Sequence, residues 1–399
     1  MSRFSFNVCE PVALGFEHVP VNAGLLKIIR VAYPEAAMAF YAEETHLELV
    51  RAQLTPQSSN SIDWISIANP KRQTSFFRRL PTDFRRVREL FKLIDDDANT
   101  QVVLFTFGNA SVMWSLKFLT SPVHRRRKSQ VVLHGDFATL RYRTSMKRMI
   151  NPIYHMGSFK TAVHFGCAKG TQYLVLEEAV RDAVVAKFPR LAGRFKVIDH
   201  PVSGNREQVS KHELSSPVKF GFLGRASEAK GFSHFLAVAK HINERFPGRA
   251  VFSLVGFLGP GQDRQTLPNL VYLDGNLSHE KLEWDEYAEQ VKELHFVCMF
   301  YDKEYEFAAS GVLADAIGLE KPIIASALPL FANVERKFPH AIRFSADTDY
   351  AAPIEEILTS MDPASYERQV TAIRAVKQSR TPEALAVVYR NLVDEFSKD

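Results

Sequence analysis

The sequence predicts an α/β protein made of two doubly wound domains, each with a parallel sheet covered by helices. Short apolar runs typical of buried parallel strands alternate with amphipathic helical patterns along the chain. A length of 399 residues is sufficient for two full hydrophobic cores. A polar stretch rich in Ser, Gly and Pro divides the chain at 201–217. We therefore expect Rossmann-like domains at 1–200 and 218–380, a last helix at 381–399, and a ligand cleft between the domains.

In the first half, apolar runs predict strands near residues 12–16 and at 37–41, 62–67, 101–107, 131–136, 173–176 and 196–198. A helix capped by residues 22–24 has an apolar face and ends at Pro34. A second helix is predicted at 82–95. Its inward positions are apolar: Phe84, Val87, Leu90, Phe91 and Ile94.

In the second half, the same patterns predict strands at 218–223, 250–256, 270–273, 295–300 and 322–325. Helices are predicted at 230–246 and 279–293, and another is expected to open at Ser310. Thr381 and Pro382 form a helix cap with proline at the first helical position, which predicts the last helix.

The composition excludes several classes of protein. Hydrophobic residues make up 46% of the chain and charged residues 24%, which is ordinary for a soluble globular protein. There is no run of 18 apolar residues and no signal-peptide pattern, so we expect a cytoplasmic protein without a membrane-spanning helix. Cys9, Cys167 and Cys298 are widely spaced, which favours reduced thiols over disulfides or a metal site. A Rossmann oxidoreductase is not expected, because no Gly-x-Gly-x-x-Gly follows the first strand.

Charge is distributed unevenly between the two halves. Residues 1–200 hold 28 Lys and Arg against 17 Asp and Glu, a net +11, whereas residues 201–399 have a net −6. The basic clusters of the first half are Lys71-Arg72, Arg78-Arg79, Arg85-Arg86-Arg88 and Arg125-Arg126-Arg127-Lys128. Such a surface favours peripheral contact with an anionic membrane or a pyrophosphate-bearing acceptor. A solvated surface without a partner is the alternative, and nucleic acid is not expected.

The most informative stretch begins at Ser310, after a predicted strand. Ser310 is a good N-cap, and Gly311 allows a ligand close to the backbone of the helix start. Such a start offers free N–H groups and a positive dipole end, which together suit a phosphate. Asp315 falls one turn further on, near Val312, where its carboxylate could hold two ribose hydroxyls. The segment therefore predicts a nucleoside-diphosphate site.

A second segment supports this prediction. The strand at 218–223 ends in Gly224-Arg225, and Lys230-Gly231 follows at a predicted helix start. Gly224 permits a tight turn, while Arg225 and Lys230 place two cations near one point, as an anion site requires.

Together, the two segments resemble the donor-binding half of retaining GT-B glycosyltransferases of the glycosyltransferase family 4 type, over about residues 218–326. The resemblance implies that Arg225 and Lys230 clamp the donor diphosphate and that Asp315 binds the ribose. The family also has a second acid eight positions earlier, but Phe307 occupies that place here. The sugar-contacting acid is therefore Glu306, Glu304 or neither.

The first half contributes four further candidate residues. His134 ends an apolar strand, where open α/β sheets bind ligands, and resembles the family's sugar-holding histidine. Asp136 follows it as a second candidate. Asn22 and Gly24 lie in a segment that resembles the loop closing over the donor; a structural role is an equal alternative for this loop.

We therefore expect a glycosyltransferase that moves a hexose from a nucleoside-diphosphate sugar to a glycan or lipid-linked glycan, with retention implied by the resemblance. No cofactor is expected besides the nucleotide sugar as co-substrate, and no metal is required, because Arg225, Lys230 and the amides of Ser310–Val312 supply fixed positive charge. The alternatives are a nucleotide-sugar epimerase or hydrolase on the same fold and a non-catalytic GT-B-like binding protein.

Overall fold

The structure is a computed structural model. It describes residues 5–68, 76–95, 100–119, 128–134, 158–166, 170–202, 213–273, 282–346 and 349–398. The chain folds into two compact units. Unit 1 comprises Met1–Asn205, Phe307–Ala309 and Arg380–Asp399, and unit 2 comprises Arg206–Glu306 and Ser310–Ser379. The C-terminal helix therefore belongs to unit 1 and not to a segment of its own.

Unit 1 is built on a parallel sheet whose described strands lie in the order β3-β2-β1-β4-β5-β6-β7. These strands are β1 Ser5–Cys9, β2 Ala37–Ala42, β3 Asp63–Ser66, β4 Thr100–Phe105, β5 Lys128–Leu133, β6 Thr171–Val175 and β7 Phe195–Val197. Each neighbouring pair in this order is parallel. Strands β2 and β3 are added on one side of β1, whereas β4 to β7 are added on its other side, so the strand order reverses between β1 and β4. This is the switch point at which doubly wound folds bind ligands.

The helices of unit 1 pack on this sheet, and they include the C-terminal helix of the chain. They are α1 Val19–Ala32, α2 Glu44–Ala52, α3 Pro56–Asn60, α4 Phe76–Asp95, α5 Ala110–Phe118, α6 Phe159–Gly166, α7 Glu178–Lys187 and α14 Pro382–Lys398. Leu385 and Tyr389 of α14 join the apolar cluster formed with α1. A buried ion pair between Arg380 and Glu177, at 3.0 and 3.1 Å, fixes the start of this last segment.

Unit 2 has a second parallel sheet, with its described strands in the order β10-β9-β8-β11-β12-β13. The strands are β8 Val218–Ala226, β9 Ala250–Leu258, β10 Leu270–Leu273, β11 Phe296–Met299, β12 Ile323–Ser326 and β13 Ile342–Ser345. The helices are α8 Phe232–Arg245, α9 Trp284–Lys292, α10 Gly311–Gly318, α11 Pro329–Lys337, α12 Ala352–Ser360 and α13 Pro363–Ser379. The predicted α/β class and the two doubly wound sheets are confirmed.

The predicted first strand is wrong. Residues 12–16 form a loop, in which Gly15 has a positive φ of 54° and Glu10 accepts hydrogen bonds from the Val12 and Ala13 amides. The strand is Ser5–Cys9, where every residue is buried although Ser and Asn alternate with apolar residues. The long helix of the first half also begins earlier than predicted, at Phe76, with Pro81 inside it.

Candidate functional site

In unit 2, the end of β8 brings the predicted phosphate-binding groups together. Gly224 has φ of 76°, and a Cβ there would lie 3.3 Å from Val312 Cγ2 and 3.7 Å from Lys230 Nζ. The ammonium group of Lys230 and the first turn of α10 therefore both border this glycine. The predicted tight turn is not formed: Gly224 and Arg225 lie within β8, which runs to Ala226 and pairs with β9. Gly224 nevertheless has a left-handed φ, which glycine adopts without strain.

A second glycine sets the position of Lys230. Gly231 has φ of 73°, and a Cβ there would lie 1.9 Å from the carbonyl oxygen of Phe300, just beyond β11. Only glycine permits this close approach of the two backbones. The turn that carries Lys230 is consequently packed against the end of the central strand.

The electrostatics of Lys230 identify its neighbours. Burial, followed by the charge of Arg225, lowers the pKa of Lys230 to about 8, while Asp315 acts in the opposite direction. Two cations held close together at a strand end form a site that a bound anion would stabilise.

The helix start predicted at Ser310 is confirmed. The Ser310 side chain accepts a hydrogen bond from the Leu313 amide at 3.2 Å, as an N-cap does. The Tyr301 hydroxyl lies 3.0 Å from Ser310 Oγ and fixes that side chain in its buried position. Gly311 is exposed, with nothing within 4 Å of a Cβ placed there, so a ligand can approach these amides.

Asp315 lies one turn into α10 and has a partner that the sequence patterns did not indicate. The hydroxyl of Tyr287, on α9, donates to Asp315 Oδ2 at 3.3 Å. Burial and the negative charge of Asp315 raise the pKa of Tyr287 well above its ordinary value, so the phenol keeps its proton and remains a donor. The sequence predicts a helix at 279–293 without singling out Tyr287, and no local pattern connects this residue with α10.

The acidic candidates before α10 lie at different places. Glu306 is half-buried and ends a short 3-10 turn, Lys303–Tyr305, where its backbone N–H donates a hydrogen bond to the Lys303 carbonyl at 3.2 Å. Glu304 falls inside that turn, and its side chain is outside the described residues. Phe307 packs against an apolar cluster of unit 1 and is a packing residue.

In unit 1, His134 lies directly after β5 and belongs to a group of stacked rings. Its ring lies 4.6 Å from that of His18 at an interplanar angle of 8°, and Phe107 also stacks on both rings. His134 Nε2 donates to the Thr106 carbonyl at 2.7 Å, because a carbonyl oxygen can only accept. Burial and the proximity of His18 lower the pKa of His134 well below its ordinary value, so the ring is neutral. Asp136 lies outside the described residues.

Asn22 and Gly24 are not in a loop, contrary to the sequence interpretation. Both are buried in α1. A Cβ on Gly24 would lie 2.6 Å from Pro201 Cγ, so the missing side chain serves helix packing. Asn22 donates to Glu10 at 3.1 Å and to His46 at 2.8 Å. The connection between β1 and α1 is instead Glu10 followed by a loop, residues 11–18.

One residue of the predicted basic surface has a structural role. Arg86 is buried and donates to the carbonyl oxygens of Pro11 and, at 2.7 Å, of Ala68. Lys71, Arg72 and residues 125–127 lie outside the described part of the chain.

The described residues contain no group of three or more His, Cys, Asp or Glu side chains arranged to hold a metal ion. Among the same residues, no helix combines the length and apolar character needed to cross a bilayer.

Comparisons with known proteins identify the fold. Neither protein-family profiles nor curated protein sequences match the chain. Among solved structures, sucrose-phosphate synthase from Thermosynechococcus elongatus is similar with a TM-score of 0.64 and 14% identity over 100% of both chains. The E. coli trehalose-6-phosphate protein bound with UDP-2-fluoro glucose has a TM-score of 0.65 and 11% identity over 99% of both chains. WaaG, a glycosyltransferase involved in lipopolysaccharide biosynthesis, has a TM-score of 0.61 and 12% identity over 98% of this chain and 99% of its own. The chain has the GT-B fold, as the sequence resemblance predicted.

Proposed function

We propose that this GT-B chain is a glycosyltransferase that moves a hexose from a nucleoside-diphosphate sugar to a hydroxyl of a glycan or lipid-linked glycan. The observation that carries this proposal is the meeting of Arg225, Lys230, the open start of α10 and Asp315 in unit 2. Groups suited to phosphate and a carboxylate suited to ribose hydroxyls thus lie one helical turn apart, an arrangement that would fit a nucleoside diphosphate. The similarity to a structure bound with UDP-2-fluoro glucose supports the choice of donor.

The chemistry follows from the charge that develops when a sugar leaves a diphosphate. The Gly231 turn positions Lys230 and the Ser310 cap fixes the N-terminal amides of α10, so these groups need not reorganise as the leaving group becomes more negative. Arg225 adds a second cation beside them. Donor binding at this site calls for the nucleotide sugar as co-substrate and for no additional cofactor.

Retention of configuration is the finer part of the proposal. By resemblance, His134 would hold the sugar. Glu306 is the preferred candidate for the acid that contacts the sugar, with Glu304 as the alternative, and Asp136 is a further catalytic candidate. The neutral state of His134 supports a hydrogen-bonding role, because an uncharged imidazole offers both a donor and an acceptor.

The acceptor side of the proposal includes peripheral contact with the cytoplasmic face of an anionic membrane. Four exposed cations of α4 lie within about a quarter of the helix circumference, at 3.6 residues per turn. They are Arg78, Arg85, Arg88 and Lys92. Phe77 and Leu93, 43% and 53% exposed, flank this basic stripe. Basic side chains beside exposed apolar ones suit the interface of an anionic bilayer.

A donor screen tests the proposed function. The full chain is incubated with a panel of nucleotide sugars, with and without glycan acceptors, and the products are separated. Acceptor-dependent release of nucleoside diphosphate supports the transferase. Conversion or cleavage of the donor without acceptor would identify an epimerase or hydrolase, and binding without turnover of any donor would identify a binding protein.

A further inference from the structure

A buried carboxylate of unit 1 that accepts four hydrogen bonds lies at the switch point of its sheet. Glu10 directly follows β1 and is 1% exposed, and Thr106 directly follows the neighbouring strand β4. Ligands of doubly wound sheets bind outside the carboxyl ends of the strands at this point. Burying a carboxylate costs folding free energy unless its oxygens accept hydrogen bonds. The donors that hydrogen-bond to Glu10 are therefore the groups that this residue holds in place.

Glu10 accepts four hydrogen bonds. Oε1 accepts from the amides of Val12 and Ala13 at 3.0 and 2.9 Å. Oε2 accepts from the side-chain amide of Asn22 at 3.1 Å and from the hydroxyl of Thr106 at 2.9 Å. With both oxygens occupied by donors, Glu10 has no role as a proton acceptor in the reaction. Its contacts instead join the start of loop 11–18 to α1 and β4.

The same network fixes the middle of loop 11–18. His46 Nδ1 donates to the Gly15 carbonyl at 2.7 Å, so this imidazole carries its proton on Nδ1. Its Nε2 therefore accepts, and the amide of Asn22 donates to it at 2.8 Å. Glu10, Asn22 and His46 together hold the loop at three backbone positions.

The loop and Thr106 lead to the two stacked imidazoles. His18 ends the loop, with φ of 60°, and its ring covers that of His134. On the other side, the Thr106 carbonyl accepts from His134 Nε2 while its hydroxyl donates to Glu10. Since Nε2 carries the proton, His134 Nδ1 remains an acceptor.

We propose that Glu10 is a positioning residue that holds loop 11–18 and Thr106 so that the stacked His18–His134 pair presents His134 Nδ1 to a substrate hydroxyl. The proposal rests on the proposed glycosyl transfer for its choice of substrate. It adds to that function a role for the hydrogen-bond network of Glu10 in unit 1, which is separate from the donor-binding motifs of unit 2.

Matched variants of the full chain test this role. Glu10→Gln places an amide nitrogen among four donors, and Thr106→Val removes the hydroxyl at nearly constant volume. We expect both variants to lower kcat/KM for sugar transfer at least tenfold, with affinity for the free nucleoside diphosphate unchanged within twofold. Thr106→Ser restores the hydroxyl and should recover most of the loss. Ser115→Ala, which removes a buried hydroxyl bonded within α5, is the control for general effects of buried hydroxyl loss.

Amide hydrogen exchange at Val12 and Ala13 provides a readout that does not depend on activity. The Glu10→Gln variant should exchange these amides at least tenfold faster than wild type, while amides of β6 stay protected. Unchanged exchange, or unchanged kcat/KM in an active protein, would overturn the positioning role. Absence of transfer in the wild type with every donor would instead count against the proposed function, and the exchange result would still decide whether Glu10 holds the loop.

Discussion

Tyr287 and Asp315 form a hydrogen bond between two helices of unit 2, with the phenol donating to Oδ2 at 3.3 Å. Asp315 follows the α10 start by one turn, and its charge also acts on Lys230. The hydrogen bond from Tyr287 orients Oδ2 of Asp315. A carboxylate has about four acceptor positions, so it can also accept hydrogen bonds from ligand hydroxyls.

If Asp315 binds the ribose hydroxyls, Asp315→Asn should lower affinity for a nucleoside diphosphate about tenfold, because charge-assisted hydrogen bonds contribute about 1.5–3 kcal/mol. Asp315→Glu should be tolerated, and Tyr287→Phe should cost about fivefold through loss of orientation, on the basis of about 1 kcal/mol for one hydrogen bond. Calorimetric titration with ribo- and 2′-deoxyribonucleotides measures both effects. Unchanged binding by the Asn variant would leave Asp315 as a charge that complements the helix dipole.

The phosphate clamp is tested by removing its cations singly. Arg225→Ala or Lys230→Ala should weaken nucleoside-diphosphate binding or slow turnover at least about tenfold, since each desolvated contact to phosphate contributes about 1.5–3 kcal/mol. Lys240→Ala, an exposed cation on α8, is the matched control and should bind as wild type does. Wild-type affinity and rate in both clamp variants would place the donor site elsewhere.

Diphosphate binding should depend on pH through Lys230. Its pKa is lowered to about 8 in the unliganded protein, and a bound anion raises it again. Binding therefore takes up a proton above about pH 8, and affinity falls as the pH rises through that value. Calorimetry in two buffers of different ionisation enthalpy measures the uptake. Lys230→Arg should abolish this dependence, because guanidinium stays charged; equal proton uptake in that variant would assign it to another group.

The acid that contacts the sugar is identified by comparing the affinity for the complete nucleotide sugar with the affinity for the nucleoside diphosphate alone. Glu306→Gln should reduce turnover and affinity for the complete nucleotide sugar far more than affinity for the nucleoside diphosphate, because only the sugar would touch it. Glu304→Gln is the paired variant, one position inside the 3-10 turn. If Glu304→Gln alone has this effect, the register of the motif is shifted by two residues. If neither variant does, the retaining assignment loses its residue support.

The basic stripe of α4 is tested with vesicles. The protein should sediment with anionic phosphatidylglycerol vesicles at low salt and be released at high salt, since each Lys or Arg near such a surface contributes about 1 kcal/mol that salt screens. Replacing Arg78, Arg85, Arg88 and Lys92 together by Gln should abolish sedimentation with nucleotide affinity intact. Arg86 is retained because its buried side chain supports the backbone.

Four exposed cations of unit 2 serve as the matched control set: Lys240, Arg249, Arg336 and Lys337. Their replacement by Gln removes the same charge and should leave sedimentation unchanged. Equal loss of binding in both sets would indicate a general effect of net charge, and equal binding to neutral vesicles would reject the electrostatic mechanism.

Local sequence patterns were sufficient to predict the α/β class, both parallel sheets, and the Ser310 cap with Asp315 one turn later. Caps and strand runs depend on residues close along the chain, so their patterns are readable without a structure. The first strand was missed because its buried Ser and Asn break the apolar run, and with it Glu10 was missed as the residue that follows that strand.

Which distant residues meet is known only from the folded chain. Tyr287 of α9 meets Asp315 of α10 only in the folded chain, and Glu10 reaches Thr106 because β4 pairs with β1. The fold also buries Arg86 while Arg85 and Arg88 of the same basic cluster stay exposed. Such contacts follow from strand order and helix packing, which bring together residues far apart in sequence, and no local pattern of side chains encodes them.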